Sequence, residues 1–304
     1  MSLRFDNRVA IVTGAGNGLG RSHALALAAR GAKVVVNDLG GARDGTSASA
    51  TAAQRVVDEI RAAGGEAMAN AASVTDEAAV NAMVAEVMAK WGRVDILINN
   101  AGILRDKTFA KMELADFRTV VDVHLMGAVI CTKAVWEAMR NQKYGRIVMT
   151  TSSTGLYGNF GQSNYAAAKM ALVGFMQTLA LEGAKYDIRV NSVAPTAATR
   201  MTEDILPPEA LKLLQPEAVT PGVLWLVSDD APTRTILCAG GGSFEVAHVT
   251  LTQGIHTGLV PDAAEKIAAG KAKLADRAGE TVPGTGFEQA QLELNKAGVA
   301  IKVT

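Results

Sequence analysis

Tyr165 and Lys169 stand four residues apart in YAAAK, a spacing that places both on one face of a helix. An ammonium beside a phenol favours the phenolate and lowers a reference pKa of about 10 toward working pH. Tyr165 is therefore expected to carry a proton. Ser152 lies thirteen residues upstream at the end of an apolar run, where its hydroxyl can hold a substrate oxygen beside the phenol. Alone, YxxxK usually marks a solvated helix face, and its meaning depends on what surrounds it. Near the start, Thr13-Gly14-Ala15-Gly16-Asn17-Gly18-Leu19-Gly20 joins a strand-like run to a helical one. Glycines at such a turn let backbone approach a pyrophosphate, and the helix N-terminus supplies amide donors. Asp38 ends the second strand-like run, eighteen residues past Gly20, near the spacing expected of the acid that holds the adenine-ribose hydroxyls. A carboxylate there repels a 2′-phosphate, so the group predicts NAD rather than NADP. In Asn99-Asn100-Ala101-Gly102, small residues would admit a flat ring near the backbone, although an ordinary turn reads the same way.

These residues need strands to carry them. β-branched runs at Val9–Thr13, Lys33–Asn37, Val94–Asn99, Arg146–Thr151, Ile188–Val193 and Ile236–Gly240, with a weaker one at Glu66–Ala72, alternate with helical stretches such as Gly20–Ala29, Ala52–Ala63 and Glu77–Lys90. That alternation predicts an α/β fold: a Rossmann-type doubly wound parallel sheet of about seven strands, helices on both faces, and a C-terminal helical extension. The pattern stops near Glu245, dividing the chain into a catalytic domain over 1–245 and an extension over 246–304, with helical stretches near Pro261–Arg277 and Gly286–Ala297. Residues 38–53 and 196–210 read as mobile loops at strand ends, where doubly wound sheets bind ligands.

The chain has 304 residues, with 30 Lys+Arg against 30 Asp+Glu and a pI near 6.9. A zero balance argues against nucleic acid or anionic membrane as the main partner. Hydrophobic residues at 49% and charged residues at 20% exclude disorder of the whole chain. No metal site is indicated. Cys131 and Cys238 sit in apolar runs as structural thiols, which points to a reducing cytoplasm. The N-terminus shows no signal segment. The most apolar helical region, Thr119–Met139, is interrupted by Asp122, His124, Lys133 and Glu137, so no membrane span is expected.

Taken together, TGAGNGLG, Asp38, NNAG, Ser152 and YAAAK resemble the short-chain dehydrogenase/reductase family over about residues 5–245. The resemblance implies that Tyr165 is the acid/base, that Lys169 binds the nicotinamide ribose and tunes the phenol, and that Ser152 orients the substrate. It implies that Gly14, Asn17, Gly18, Leu19, Gly20, Asp38, Ser73, Val74, Asn100, Ala101, Gly102, Pro195, Thr196 and Thr199 line the cofactor. One departure is His124, in VHLMG, where the family usually places an Asn that helps a proton relay to the lysine; a histidine satisfied within the helix is the alternative. Within the family, VVVNDLGG, NNAGILRDKTF, YGNFGQSNYAAAK, TRMTE, VLWL and GGGSFEV are similar to the (3R)-hydroxyacyl-CoA dehydrogenase part of peroxisomal multifunctional β-oxidation enzymes, whereas 246–304 matches it in no recognised stretch. This implies an NAD-dependent dehydrogenase of a secondary alcohol, with a 3-hydroxyacyl-CoA as substrate. A steroid, cyclic or aromatic-derived alcohol is the alternative, and a non-catalytic NAD-binding regulator a remote one. Leu156, Tyr157, Asn159, Phe160, Arg200 and Met201 bear on the substrate, although Leu156 and Phe160 read equally as core or subunit-interface residues; Arg105, Lys107 and Lys111 could meet a CoA phosphate or simply be solvated. The family implies a homodimer or homotetramer, and the Ala-rich face Ala166–Ala171 would allow close helix packing.

Overall fold

The computed structural model describes residues 3–40, 44, 51–197 and 207–300. The strands are β1 (Val9–Thr13), β2 (Lys33–Asn37), β3 (Glu66–Asn70), β4 (Ile96–Asn99), β5 (Gly145–Thr150), β6 (Ile188–Thr196), β7 (Ile236–Gly240) and β8 (Ser243–Ala247). Between them run α1 (Gly18–Ala28), α2 (Thr51–Ala62), α3 (Glu77–Trp91), α4 (Leu114–Val121), α5 (Gly127–Gln142), α6 (Ser153–Tyr157), α7 (Ser163–Gly183), α8 (Pro208–Leu213) and α9 (Thr220–Leu226). One sheet holds all eight strands in the order 3-2-1-4-5-6-7-8. From β3 to β7 every pairing is parallel, as the alternation of strand and helix requires. Strand order reverses between β1 and β4, and that switch point opens a crevice at the strand C-termini.

Burial follows from the two-sided cover. β1, β4 and β5 are buried at every residue, which is why their sequences are continuous apolar runs. One core joins Val12, Val36, Ile98 and Val148 of the sheet to Leu27 of α1, Ile60 of α2 and Leu224 of α9. α3 is stopped at both ends: the Asp76 carboxylate accepts from Ala79 N at 3.0 Å, and Gly92 takes a left-handed φ of 73°. At the N-terminal edge of the sheet, Arg146 is buried and donates to the carbonyls of Gly145, Asp187, Ser228 and Asp229.

Two expectations change here. An eighth strand, β8, continues the sheet; it is mostly exposed and so lacks the apolar signature of the others. The continuous helical run Leu114–Gln142 is also long and apolar enough to cross a membrane by length and composition. Its four charged or polar interruptions did not exclude that. Within the fold it is a covering layer, with Val120, Cys131, Val135 and Met139 all buried.

The chain divides into two compact units, Met1–Val246 and Ala247–Thr304. The second contains α10 (Ala263–Ala269), α11 (Lys271–Leu274) and α12 (Gly286–Lys296), and an antiparallel bridge between Leu251 and Thr281. None of its described residues is buried.

Candidate active site

β5 ends two residues before Ser152, which caps α6: its Oγ accepts from Thr154 N at 3.1 Å. α7 begins at Ser163, so Tyr165 and Lys169 lie in its first two turns and share a face. The helix is fastened to the end of β5 by Thr151 Oγ1, which donates to Lys169 O at 2.6 Å. A Cβ on Gly155 would meet Lys169 Cβ at 2.8 Å; that glycine lets α6 lie against α7. Lys169 Nζ donates to Thr150 O at 2.6 Å and stands 5.4 Å from the centre of the Tyr165 ring.

The electrostatics differ from the sequence expectation. Burial pushes the Tyr165 phenol above its ordinary value, hydrogen bonding with Ser152 opposes this, and the Asp106 carboxylate adds to it. Lys169 is itself buried, which pushes its amine down to about 7, and one of its N–H donors is taken by Thr150 O. A desolvated phenol keeps its proton.

His124 lies in a π-helical turn, Asp122–Met126, between α4 and α5. Its ring meets the Tyr165 ring edge-on, with centroids 5.2 Å apart and planes at 87°. Nε2 lies 3.1 Å from Ile103 N and 2.8 Å from Ile103 O. Burial and the Lys169 charge hold the ring far below the usual histidine range, so it is neutral. Nδ1 and Asn99 Oδ1 are buried without a partner. Both residues, with Lys169 and Thr13, line a cavity of ≈ 10 Å³, room for about one water. Gly102 makes the ring's position possible, since a Cβ there would fall 2.2 Å from His124 Cε1.

The glycine turn stands at the switch point. Gly14 and Gly18 take φ of 60° and 53°, and a Cβ on Gly20 would lie 2.3 Å from Gly14 O, so these positions exclude larger residues. Asn17 makes no side-chain cap on α1, leaving the first amides of that helix for an anion. Asp38 accepts from Gly16 N at 2.7 Å and from Gly40 N at 2.6 Å. These features fit a dinucleotide: free amides for the pyrophosphate and a fixed carboxylate for a ribose. Asn100 acts as a rivet, donating to Thr13 O and Gly14 O at 3.0 Å, while Ala101 N donates to Thr13 Oγ1. Leu19 packs on the core. Ser73 pairs with Thr75, Val74 lies against Gly127, and Pro195 and Thr196 end β6 beside Ala239 and Gly240. Thr199, Arg200 and Met201 lie outside the described residues.

Tyr157 and Phe160, between Ser152 and Tyr165 in the chain, are 73% and 88% exposed, so Phe160 is not a core residue of this chain. The basic group is largely engaged, since Arg105 and Lys107 face Asp116 at 2.9 and 3.8 Å. Cys131 is buried, with its thiol pushed up to about 12, as suits a structural cysteine. Sequence reasoning missed Asp106, Gln162 and Asn164, which brace the start of α7; the one available signal was Gln162, three residues before Tyr165.

The family description "short chain dehydrogenase" matches residues 8–210. A Mycobacterium tuberculosis protein named as a short-chain type dehydrogenase/reductase is 48% identical over 280 residues, covering 92% of this chain and 98% of its own. The chain belongs to the short-chain dehydrogenase family. The peroxisomal hydratase-dehydrogenase-epimerase of Saccharomyces cerevisiae is 56% identical over 228 residues, 75% of this short-chain dehydrogenase and 25% of the yeast protein. The chain thus spans a quarter of that relative's length. The full-length peroxisomal multifunctional enzyme type 2 of Drosophila melanogaster superposes with a TM-score of 0.80 at 35% identity, over 98% of this chain and 51% of its own. The 246–304 extension therefore has a structural counterpart where the sequence showed none. A 7α-hydroxysteroid dehydrogenase solved with NADH and a 7-oxo bile acid gives a TM-score of 0.71 at 33% identity, over 79% of this chain and 95% of its own. This short-chain dehydrogenase is an oxidoreductase of hydroxyl groups that uses a nicotinamide dinucleotide.

One expectation is overturned. The yeast relative and the multifunctional enzymes of Drosophila, Dictyostelium and mouse are named peroxisomal, against the cytoplasmic placement drawn from two cysteines. A count of unpaired thiols reports the lack of a disulfide framework and carries no organelle address.

Proposed function

We propose that this dehydrogenase oxidises the secondary alcohol of a (3R)-3-hydroxyacyl-CoA with NAD, or runs the same step in reverse. When bound, the dinucleotide supplies a nicotinamide ring that accepts the hydride. Ser152, with its Oγ already accepting from Thr154 N, donates to the substrate oxygen and sets it beside the Tyr165 phenol. Tyr165 takes the hydroxyl proton during oxidation and returns it during reduction, an action worth about 10²–10⁴-fold. Lys169, buried and held by Thr150 O, binds the nicotinamide ribose and exchanges protons near neutral pH. His124, with Nδ1 facing the one-water cavity beside Lys169, extends that exchange inward. The glycine turn, the first amides of α1, Asp38 and the ends of β4 and β6 hold the dinucleotide.

The observation that carries this reading is the grouping of Ser152, Tyr165 and Lys169 at the strand C-termini beside a dinucleotide cradle. The acyl-CoA substrate rests on resemblance to the dehydrogenase part of multifunctional enzymes and on the exposed aromatic rings of Tyr157 and Phe160. The preference for NAD rests on Asp38. A steroid alcohol is the second reading, favoured by the likeness to the 7α-hydroxysteroid dehydrogenase. Initial rates with a panel of 3-hydroxyacyl-CoA and steroid alcohols separate the two: turnover confined to steroids rejects the acyl-CoA assignment.

Self-association belongs to the proposal. On α7, Ala167, Met170, Gly174 and Leu181 form one exposed stripe of small and apolar residues, which suits packing across a twofold axis. The 247–304 unit, with no buried residue among those described and with Leu259, Ile267 and Phe287 exposed, serves as a lid or inter-subunit arm.

A further inference from the structure

Among the buried polar atoms of the described residues, Asn99 Oδ1 and His124 Nδ1 have no protein partner. Their residues are 5% and 4% exposed, and both line the ≈ 10 Å³ cavity that Lys169 and Thr13 also line. The rest of each side chain is committed. Asn99 Nδ2 donates to Thr132 Oγ1 at 3.1 Å and to Met149 Sδ at 3.3 Å, which leaves Oδ1 as the unused end of the amide. His124 Nε2 is held by the Ile103 backbone, which leaves Nδ1. The two atoms do not bond each other, so neither tautomer of the ring satisfies both directly. Thr13 supplies no donor, because its hydroxyl donates to Ile98 O at 3.3 Å and accepts from Asn100 N and Ala101 N. Val74, Val123, Ala128 and Leu172, which also line the cavity, are apolar. A buried acceptor without a donor is costly, and a polar cavity of this size takes one water.

We propose that one buried water bridges Asn99 Oδ1 and His124 Nδ1 beside Lys169, and that Asn99 is, through this water, a positioning residue for the His124 ring and the Lys169 amine. Oδ1 can only accept, so the water donates to it. Toward Nδ1 the water donates or accepts, according to which ring nitrogen carries the proton. It takes its third bond from Lys169, which has N–H donors beyond the one given to Thr150 O; three partners are usual for a buried water. The imidazole is then pinned on both sides, Nε2 by Ile103 and Nδ1 by the water. This fixes the ring that meets Tyr165 edge-on at 5.2 Å. Asn99 can do this because it is the last residue of β4, paired with Met149 of β5 and tied by Nδ2 to Thr132 of α5. The water site stands on this geometry alone, whereas its effect on turnover rests on the roles of Tyr165 and Lys169 proposed above.

The test uses the full chain as wild type, Asn99→Leu and Thr132→Val. It combines crystallography at a resolution that shows ordered water, ¹⁵N NMR of histidine-labelled protein with the His124 signals assigned from their loss in His124→Gln, and kcat and KM for alcohol oxidation. The wild type should show one water within hydrogen-bond distance of both Nδ1 and Oδ1. Asn99→Leu is close in volume but lacks the amide, so the water should be gone and the Nδ1 shift should move, the nitrogen being left bare or passing its proton to Nε2. Its kcat should fall about tenfold, as for one lost bond to a charged group, with KM for the alcohol nearly unchanged. Thr132→Val takes a partner from Nδ2 and leaves Oδ1, so the water and the wild-type Nδ1 shift should both remain. No water in the wild type, an Nδ1 shift unmoved in Asn99→Leu, or one moved as far in Thr132→Val overturns the proposal. The wild-type density decides alone if Asn99→Leu does not fold. Tyr165→Phe, run alongside, separates the two failures: retained turnover there removes the acid/base reading, whereas lost turnover there with a wild-type kcat in Asn99→Leu removes the positioning role of Asn99.

Discussion

Replacing Asp38 by asparagine removes one charge and almost no volume. In the structure that carboxylate accepts from Gly16 N at 2.7 Å and Gly40 N at 2.6 Å, so it is fixed at the end of β2 and cannot swing away from an incoming 2′-phosphate. Two unit charges about 5 Å apart at an effective dielectric of about 20 repel by ~3 kcal/mol. Asp38 is partly exposed, and screening by salt and water reduces this to ~1.5 kcal/mol, about tenfold in relative affinity. Asparagine offers a single acceptor oxygen to the two amides, so one loses its partner at a cost of about 1 kcal/mol, and NAD binding weakens as well. Initial rates with NAD and NADP varied separately, at saturating alcohol, give kcat/KM for each dinucleotide. The wild type should prefer NAD, and Asp38→Asn should raise the NADP-to-NAD ratio about tenfold or more. An unchanged ratio, or a wild type that uses both dinucleotides equally, refutes the assignment of Asp38.

Gly102→Ala would place a methyl 2.2 Å from His124 Cε1, and the ring can yield only by leaving Ile103 and the Tyr165 edge; urea unfolding should show a loss of about 1–3 kcal/mol together with a fall in kcat. His23 is buried beside Thr220 and its pKa is pushed down to about 3 by burial, below an unfolded value of about 6.5. Its contribution to stability is therefore complete above about pH 6.5 and is lost as pH falls toward 3, at about 1.4 kcal/mol per unit; His23→Gln should flatten that part of a urea-midpoint-against-pH curve. Deleting residues 247–304 should change the oligomeric state by light scattering or the KM for acyl-CoA, and a truncated protein unchanged in both would remove the lid or arm.

The strands were legible because two-sided burial writes itself as uninterrupted β-branched residues: β1, β2 and β7 run over the expected Val9–Thr13, Lys33–Asn37 and Ile236–Gly240. β8 was not, because an exposed edge strand needs no apolar run. Gly270 breaks the expected helix of Pro261–Arg277 into α10 and α11. The grouping of Ser152, Tyr165 and Lys169 followed from spacing, yet the sense of the phenol's shift did not. Spacing reports which side chains share a helix face; it is silent on desolvation, and on the carbonyl of Thr150 that takes up the Lys169 donor. Likewise the π turn that turns His124 toward Ile103 leaves no periodic mark, and Gln162 and Asp106 meet only after the chain has folded.

The central claim, that Tyr165 moves the proton of a (3R)-3-hydroxyacyl-CoA while NAD takes the hydride, is tested most directly by following reduced nicotinamide with each enantiomer of a 3-hydroxyacyl-CoA, for the wild type and Tyr165→Phe. The account predicts turnover of the (3R) form, none of the (3S) form, and loss of turnover by about 10²-fold or more in Tyr165→Phe with NAD affinity retained. Turnover of neither enantiomer by the wild type, or a Tyr165→Phe variant near the wild-type rate, would contradict it.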